Sequence, residues 1–93
     1  MENSEFEWDE EKRFSNLVKH GIDFVDAPLL FMRPYLRKSA RTTAGEQRWI
    51  AIGMIEDEWV AAIYTERGSA IRLISVRRAR RGERKAYDEA FGG

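Results

Sequence analysis

Three alternating segments separated by short turns constrain the fold of this chain more than any other feature. They cover residues 48–54, 59–65 and 70–76, and each has the two-residue period of a β-strand. The polar turns at 56–58 and 67–69 are so short that the neighbouring strands must run antiparallel. The sequence therefore predicts a three-strand antiparallel meander.

The last of these strands has two mixed faces. Strict alternation places Arg72, Ile74 and Val76 on one face, and Ile71 and Leu73 on the other, together with Ser75 and Arg77. Such a pattern is typical of a strand that helices cover on one side and that stays partly open on the other.

A helix is predicted before the meander, over residues 9–20. Asp9 is a suitable N-cap, two acids follow in the first turn, and Gly21 supplies the left-handed residue that ends a helix. We expect its apolar stripe to face the core; the stripe consists of Phe14, Leu17 and Val18. Residues 6–8 alternate and predict a short edge strand.

A second helix should follow Asp23. Pro28 would delete a hydrogen bond inside it, so we expect the helix to begin late, near Asp26, or to kink. Residues 35–47 are polar and basic and predict a mobile loop, and a last helical pattern follows the meander. Together these elements predict an α+β fold in a single domain over residues 1–93.

The composition and the hydropathy of the sequence indicate the cellular location of the protein. It has no cysteine, which excludes a disulfide, a thiolate zinc site and a thiol nucleophile. The acidic first thirteen residues do not form a secretory signal, and no apolar run approaches the ~18 residues of a membrane span. We expect a cytoplasmic protein that does not enter a membrane.

The zero net charge hides an asymmetry along the chain. Residues 1–31 hold eight acids and three bases, whereas residues 32–93 hold eight acids and thirteen bases, six of them within 77–85. This separation favours a surface that binds a polyanion. A solvated helix with ion pairs between successive turns explains the basic run equally well.

Few kinds of catalysis fit the residues available. His20 is the single histidine, and the chain has neither a nucleophile elbow nor a glycine-rich phosphate loop. The acidic clusters are consecutive in sequence, so their side chains point in different directions and make poor metal ligands. We therefore expect no metal and no cofactor.

Catalysis that depends on arginine side chains is compatible with this sequence. When RNA is cleaved by attack of its own 2′-hydroxyl, the reaction needs a base, cations around the phosphorane and a proton for the leaving oxygen. Arginine binds phosphate oxygens in pairs and stays charged. Arg67, Arg72 and Arg77 lie on two adjacent predicted strands, and Glu66 and His20 are the available acid–base groups, with Tyr64 or Lys19 as substitutes.

Each of these residues also has a structural interpretation. His20 beside a glycine is typical of a helix C-terminus, Glu66 could pair with Arg67 or Arg72 across strands, and Arg48 could extend from the sheet into solvent. The three tryptophans suit packing better than base stacking.

Five motifs in register resemble the BrnT family of toxins. They read FEWDExK at 6–12, NxxKHGIxF at 16–24, GExRxIAIG at 45–53, YTxR at 64–67 and IRxISxRxA at 71–79, followed by Glu83 and Tyr87. Two positions depart from the family pattern. Residues 37–41 are basic where relatives are usually acidic, and Pro28 interrupts the second helix.

The resemblance implies a RelE-like fold and an RNA-cleaving activity that inhibits translation. It also implies an antitoxin of the ribbon-helix-helix type, encoded beside the toxin, which masks it in a heterotetramer and makes most contacts with promoter DNA. The family's basic residues match Lys19, His20, Arg48, Arg67, Arg72 and Arg77.

With the chemical argument, the candidate catalytic residues are Arg67, Arg77, Arg72, Glu66, His20 and Lys19, and the candidate RNA-binding residues are Arg48, Arg78, Arg80, Arg81 and Tyr64. Two other functions stay open. The chain could be an inactive relative that serves only as an antitoxin-binding or DNA-binding repressor subunit, or a nucleic-acid-binding module outside any toxin pair.

Overall fold

A five-stranded mixed sheet with helices on its sides organises the protein. The structure, a computed structural model, describes residues 5–92. In chain order its elements are β1 (Glu5–Glu7), α1 (Glu10–His20), a 3-10 helix (Phe24–Asp26), α2 (Ala27–Phe31), β2 (Leu36–Ser39), β3 (Trp49–Ile55), β4 (Glu58–Arg67), β5 (Ala70–Arg78) and α3 (Arg81–Phe91). The strand order is β1-β5-β4-β3-β2; β1 runs parallel to β5 and the other neighbours are antiparallel. The α+β class and the meander are confirmed.

The prediction of a mobile loop at 35–47 is wrong for its first part. Leu36–Ser39 form β2, which pairs antiparallel with β3 at the edge of the sheet. Beyond it, Thr43 and Glu46 exchange two backbone hydrogen bonds, of 3.0 and 2.9 Å, around a tight turn. Charged side chains such as Arg37 and Lys38 are common on an exposed edge strand. Because these residues lack apolar alternation, the sequence pattern did not predict a strand here. The sheet thus has five strands instead of the expected four.

The first helix begins and ends where the sequence predicts. The Asp9 carboxylate accepts a hydrogen bond of 2.8 Å from the Glu11 backbone N–H, and Gly21 has a left-handed φ of 73°. The direction of its apolar stripe, however, is wrong. Phe14 is 69% exposed and Val18 is 72% exposed, and Leu17 is 40% exposed. The stripe therefore faces solvent instead of the core.

Asn16 explains how α1 is held without that stripe. Among residues 5–92, no strand pairs with β5 beyond residue 72 on the side where β1 ends, and Asn16 lies there, buried. Its Oδ1 accepts from the Val76 backbone N–H at 3.0 Å, and its Nδ2 donates to the Val76 carbonyl at 2.8 Å and to the Ile22 carbonyl at 2.9 Å. One side chain thus satisfies backbone groups that another strand would otherwise pair, and it fixes α1 along the edge of β5.

The second helix begins late, as Pro28 predicted. Residues Phe24–Asp26 form the 3-10 helix, and α2 starts at Ala27 with the proline in its first turn, where no hydrogen bond is lost. Phe24, Ala27 and Leu30 are fully buried against one face of the sheet, here called the core face. The sheet contributes to this core Ala51, Val60, Ala62, Tyr64, Leu73 and Val76.

A β-bulge in β5 changes which side chains share a face. Ile63 pairs with Ser75, but the next residue, Tyr64, pairs with Leu73, so Ile74 is an extra residue on β5. Leu73 and Val76 consequently both reach the core face although three positions separate them. The prediction that Arg72 and Val76 share a face is therefore wrong.

Helix α3 covers part of the opposite face of the sheet. The Tyr87 ring stands edge-on to Trp59 with centroids 4.9 Å apart, and the Tyr87 hydroxyl donates to the Pro34 carbonyl at 3.2 Å. The N-terminal turn of α3 is fixed by Glu83, which accepts from the Arg80 backbone N–H at 2.8 Å. Within residues 5–92, no helix is both long enough and apolar enough to cross a membrane.

Candidate functional site

Four of the candidate arginines lie on one face of the sheet, here called the arginine face. Paired residues on neighbouring strands share a face, and β4 alternates regularly. Arg67 on β4 therefore lies on the side opposite Tyr64, and the pairing of Thr65 with Arg72 and of Ala61 with Arg77 puts both β5 arginines on that side. Trp49 pairs with Tyr64, which places Arg48 opposite Thr65.

Arg48, Thr65 and Arg72 form a row across three adjacent strands. Neighbouring strands are about 4.8 Å apart, so the two arginine stems flank Thr65 on both sides. Thr65 is only 1% exposed. Its Oγ1 and the Arg48 Nε are the two buried side-chain polar atoms without a hydrogen-bond partner in the described part of the chain. A polar group buried in this way costs about 1–3 kcal/mol unless water or a ligand supplies the partner.

Thr65 is a residue whose role the sequence did not assign. It belongs to one of the family-like motifs, and a hydroxyl residue inside an otherwise apolar strand was the available signal. A threonine in an apolar strand does not by itself indicate a functional residue, because its β-branched side chain already favours strands.

Two arginines of this face hold carboxylates only loosely. Arg67 Nε lies 3.4 Å from Glu46, and Arg72 Nη1 lies 3.5 Å from Glu7. The four side chains are between 31% and 52% exposed. Ion pairs this accessible contribute at most about 1 kcal/mol, so a phosphate that binds a guanidinium in two places can displace the carboxylate.

Arg77 is held far more firmly. Its two terminal nitrogens donate to the two oxygens of Glu83 at 2.9 and 2.8 Å, and the side chains are only 15% and 17% exposed. The hydrogen bonds from Arg77 hold the pKa of Glu83 below its ordinary value, and the same bonds raise the pKa of Arg77. Arg77 thus lies on the predicted face, but its guanidinium anchors α3.

His20 and Lys19 line a cavity of about 180 Å³ beside the arginine row. The cavity opens between α1 and the unpaired edge of β5, and its other lining residues are Lys12, Ser15, Asn16, Ile74 and Ser75. It begins two residues beyond Arg72, where β1 has ended. Lys12 and Lys19 therefore continue the line of positive charge from the arginine face around the edge of the sheet.

Two predicted residues lie elsewhere. Glu66 is on the core-face side of β4 and pairs with Arg37 at 3.4 Å, so it does not join the arginine row. Tyr64 is a core residue, 1% exposed and edge-on to Phe31. Burial raises the pKa of Tyr64 to about 12, which keeps its hydroxyl protonated. Alternation along β4 separates both residues from the arginine face.

The basic run after β5 does not act as one surface. Arg78 pairs with Glu58 at 3.2 Å and donates to the His20 carbonyl at 3.1 Å, so it joins β5 to β4 and α1. Arg80 and Arg81 are exposed where α3 begins. Within residues 5–92, no three histidine, aspartate or glutamate side chains group closely enough to hold a metal ion.

Comparison with known proteins identifies the family. A family model described as ribonuclease toxin, BrnT, of type II toxin-antitoxin system matches residues 8–83. The chain belongs to this family of toxins. The matched BrnT region contains all four residues of the arginine face together with Lys19, His20 and Glu83. A type II toxin–antitoxin family implies an antitoxin partner for this BrnT chain. The curated proteins include no match to it.

Proposed function

We propose that this BrnT-family chain is a metal-independent endoribonuclease that inhibits translation in the cytoplasm until a cognate antitoxin neutralises it. One observation carries the proposal: arginines from three neighbouring strands share one sheet face and flank a buried hydroxyl without a partner. We further assign the chain the RelE-like layout and a ribbon-helix-helix antitoxin, with which it forms a heterotetramer that binds promoter DNA through the antitoxin.

The proposed RNA path runs across the strands. One phosphate is held by Arg48 and Arg72, whose guanidinium groups neutralise the charge that develops on the phosphorane. Arg67 lies two residues along β4 from Thr65 and binds the adjacent phosphate. The RNA then leaves the surface of the sheet through the cavity lined by Lys19 and His20.

Proton transfer needs groups beside this path. His20 in the cavity is one, and it supplies the proton to the leaving 5′-oxygen. Glu66 lies on the other side of the sheet, so we assign the base to Glu7, which a phosphate at Arg72 releases from its ion pair. The 2′-hydroxyl gives its proton to Glu7, its oxygen attacks the phosphorus, and the bond from phosphorus to the 5′-oxygen breaks.

The test is cleavage of RNA by the purified chain in EDTA. We expect Arg72→Ala and Arg48→Ala to lower the rate by about 100-fold or more, as the loss of one charge-stabilising donor usually does. The matched control is Arg33→Ala, because Arg33 is exposed and its guanidinium donates to the Glu56 carbonyl, away from the arginine face. Glu7→Gln should lower the rate by about 100-fold or more, because an amide cannot accept the proton of the 2′-hydroxyl.

A second function is supported by a different observation. Arg67, Arg72 and Arg77 all pair with carboxylates, as they would in a chain where they serve only the fold. In that case the protein is an inactive antitoxin-binding or DNA-binding repressor subunit. Absence of cleavage by the wild-type chain, with or without Mg²⁺, would favour this function, and cleavage only with Mg²⁺ would contradict metal independence.

A further inference from the structure

Most of the large apolar side chains that the structure leaves exposed are concentrated in one short stretch of chain. Seven are exposed in the described residues, and six of them lie between positions 14 and 32. We call these six the apolar helix surface: Phe14, Leu17, Val18, Val25, Leu29 and Met32. Three are more than two-thirds exposed, namely Phe14 at 69%, Val18 at 72% and Met32 at 79%.

The elements that carry this surface form a continuous layer. Helix α1 packs against the 3-10 helix, which leads directly into α2. Arg13 on α1 clamps Asp23, the N-cap of the 3-10 helix, through hydrogen bonds of 2.8 and 3.2 Å. The surface is thus held in place before any partner binds, which lowers the entropic cost of binding.

The position of α1 explains why the surface is not covered from within. Asn16 and the fully buried Leu30 attach the inner sides of α1 and α2 to the sheet, and Phe14 and Val18 lie on the opposite side of α1 from Asn16. Scattered apolar side chains are normal on a surface, but six of them within positions 14–32, on elements that contact or follow one another, favour a protein–protein interface.

The net negative charge of this region favours a protein over RNA as the occupant. Residues 9–32 carry five acids and three bases, so phosphate is not attracted to this layer, in contrast to the arginine face. Beside Val25 opens a cavity of about 420 Å³ whose lining includes four carboxylates, Asp26, Glu56, Asp57 and Glu58, and one base, Arg78. Arg78 pairs with Glu58, so three of the four carboxylates face the cavity without a basic partner from its lining. A basic side chain of the partner fits this cavity by charge.

We propose that the antitoxin docks on the apolar helix surface through an amphipathic segment, with a basic side chain placed in the acidic cavity. The inference rests on the antitoxin partner of the proposed function but not on RNA cleavage. It places the antitoxin on the outer sides of α1, which lies at the edge of β5, and of the 3-10 helix and α2, which cover the core face. The arginine row lies on the arginine face, away from these outer sides.

The experiment measures binding by calorimetry with the purified product of the gene adjacent to this chain's gene. The test variant is Phe14→Ser with Val18→Ser, and the control is Phe91→Ser, since Phe91 is also exposed but lies on α3. We expect the double variant to bind on the order of 100-fold more weakly and the control to bind like the wild type. Asp26→Asn should weaken binding and reduce its dependence on salt.

Growth assays supply an independent readout. The double variant should still arrest growth when expressed alone but should no longer be rescued by the antitoxin. Circular dichroism verifies its fold, and Met32→Glu is a second variant of the same surface. Binding of the double variant within threefold of the wild type would overturn the proposal. So would an absence of wild-type binding, or light scattering showing that the surface instead joins two copies of this chain.

Because calorimetry does not depend on catalysis, this inference and the ribonuclease proposal fail separately. A chain that does not cleave RNA but binds the antitoxin through Phe14 and Val18 supports the docking surface alone. A chain that cleaves RNA but binds the antitoxin unchanged in the double variant supports the nuclease alone.

Discussion

Replacing Asn16 by alanine should destabilise this protein more than any other single truncation on α1. The side chain makes three hydrogen bonds of 2.8–3.0 Å to backbone groups of Val76 and Ile22, and a longer one of 3.4 Å to the Ser75 hydroxyl. Alanine leaves the three backbone groups without partners at a position where Asn16 is only 6% exposed.

The magnitude follows from those groups. Each buried backbone group that loses its partner costs about 1–3 kcal/mol, and water entering the vacated space recovers part of it. We expect a loss of about 3–5 kcal/mol in the free energy of unfolding, out of a total of about 5–15 kcal/mol for a domain. For a chain of this size the melting temperature should fall by about 12 °C or more.

Urea denaturation followed by circular dichroism measures the change. The control is Ser15→Ala, an exposed neighbour on the same helix, whose effect should stay within about 0.5 kcal/mol. A loss below about 1 kcal/mol in Asn16→Ala would refute the reasoning, since it would mean that these backbone groups are solvated or paired in another way.

A second substitution at the same position tests the donors separately. In Asn16→Asp, an oxygen replaces the Nδ2 group and faces the carbonyls of Ile22 and Val76. The buried carboxylate is disfavoured, so its folded-state pKa rises above the unfolded value. The variant should therefore recover stability as the pH falls towards about 3.9, because the protonated acid can donate again. A variant that loses stability on acidification faster than the wild type would contradict this.

Further predictions concern α3, the glycines and the core tyrosine. Glu83→Gln should cost about 1 kcal/mol at neutral pH, and the difference in urea stability from the wild type should vanish as the pH falls below 4.5, because the lowered pKa of Glu83 stabilises the fold only while the carboxylate is charged. Gly53→Ala should cost about 1–2 kcal/mol in the same assay, since its Cβ would lie 3.2 Å from the Tyr35 Cβ. The added Cβ in Gly82→Ala would meet nothing within 4 Å, so the better helix propensity of alanine should raise the free energy of unfolding by about 0.5 kcal/mol in the same assay. Tyr64→Phe should leave the rate of RNA cleavage unchanged, and a large loss would show that its hydroxyl reaches the substrate.

Local signals predicted much of the fold. Asp9 and Gly21 marked both ends of α1, Pro28 predicted the late start of α2, and two short turns predicted the antiparallel meander. Each of these features depends on hydrogen bonds or steric limits within a few residues, which the neighbouring sequence determines.

The candidate site was predictable in its residue types but only partly in its geometry. The motifs selected Arg48, Arg67 and Arg72, and these do share one face of the sheet. Glu66 follows the alternation to the other face of the sheet. No local pattern indicated Glu7, which we propose as the base, because its proximity to Arg72 comes from the parallel pairing of β1 with β5.

Local sequence thus specified both ends of α1, the two turns and the meander. Long-range packing made Leu36–Ser39 an edge strand, made Ile74 a bulge and turned the apolar stripe of α1 towards solvent. The physical reason is that strand pairing and helix placement depend on partners far away in the chain, such as Val76 for Asn16 sixty residues earlier. A local sequence pattern does not indicate which element will pair with the edge of a strand or pack on the apolar side of a helix.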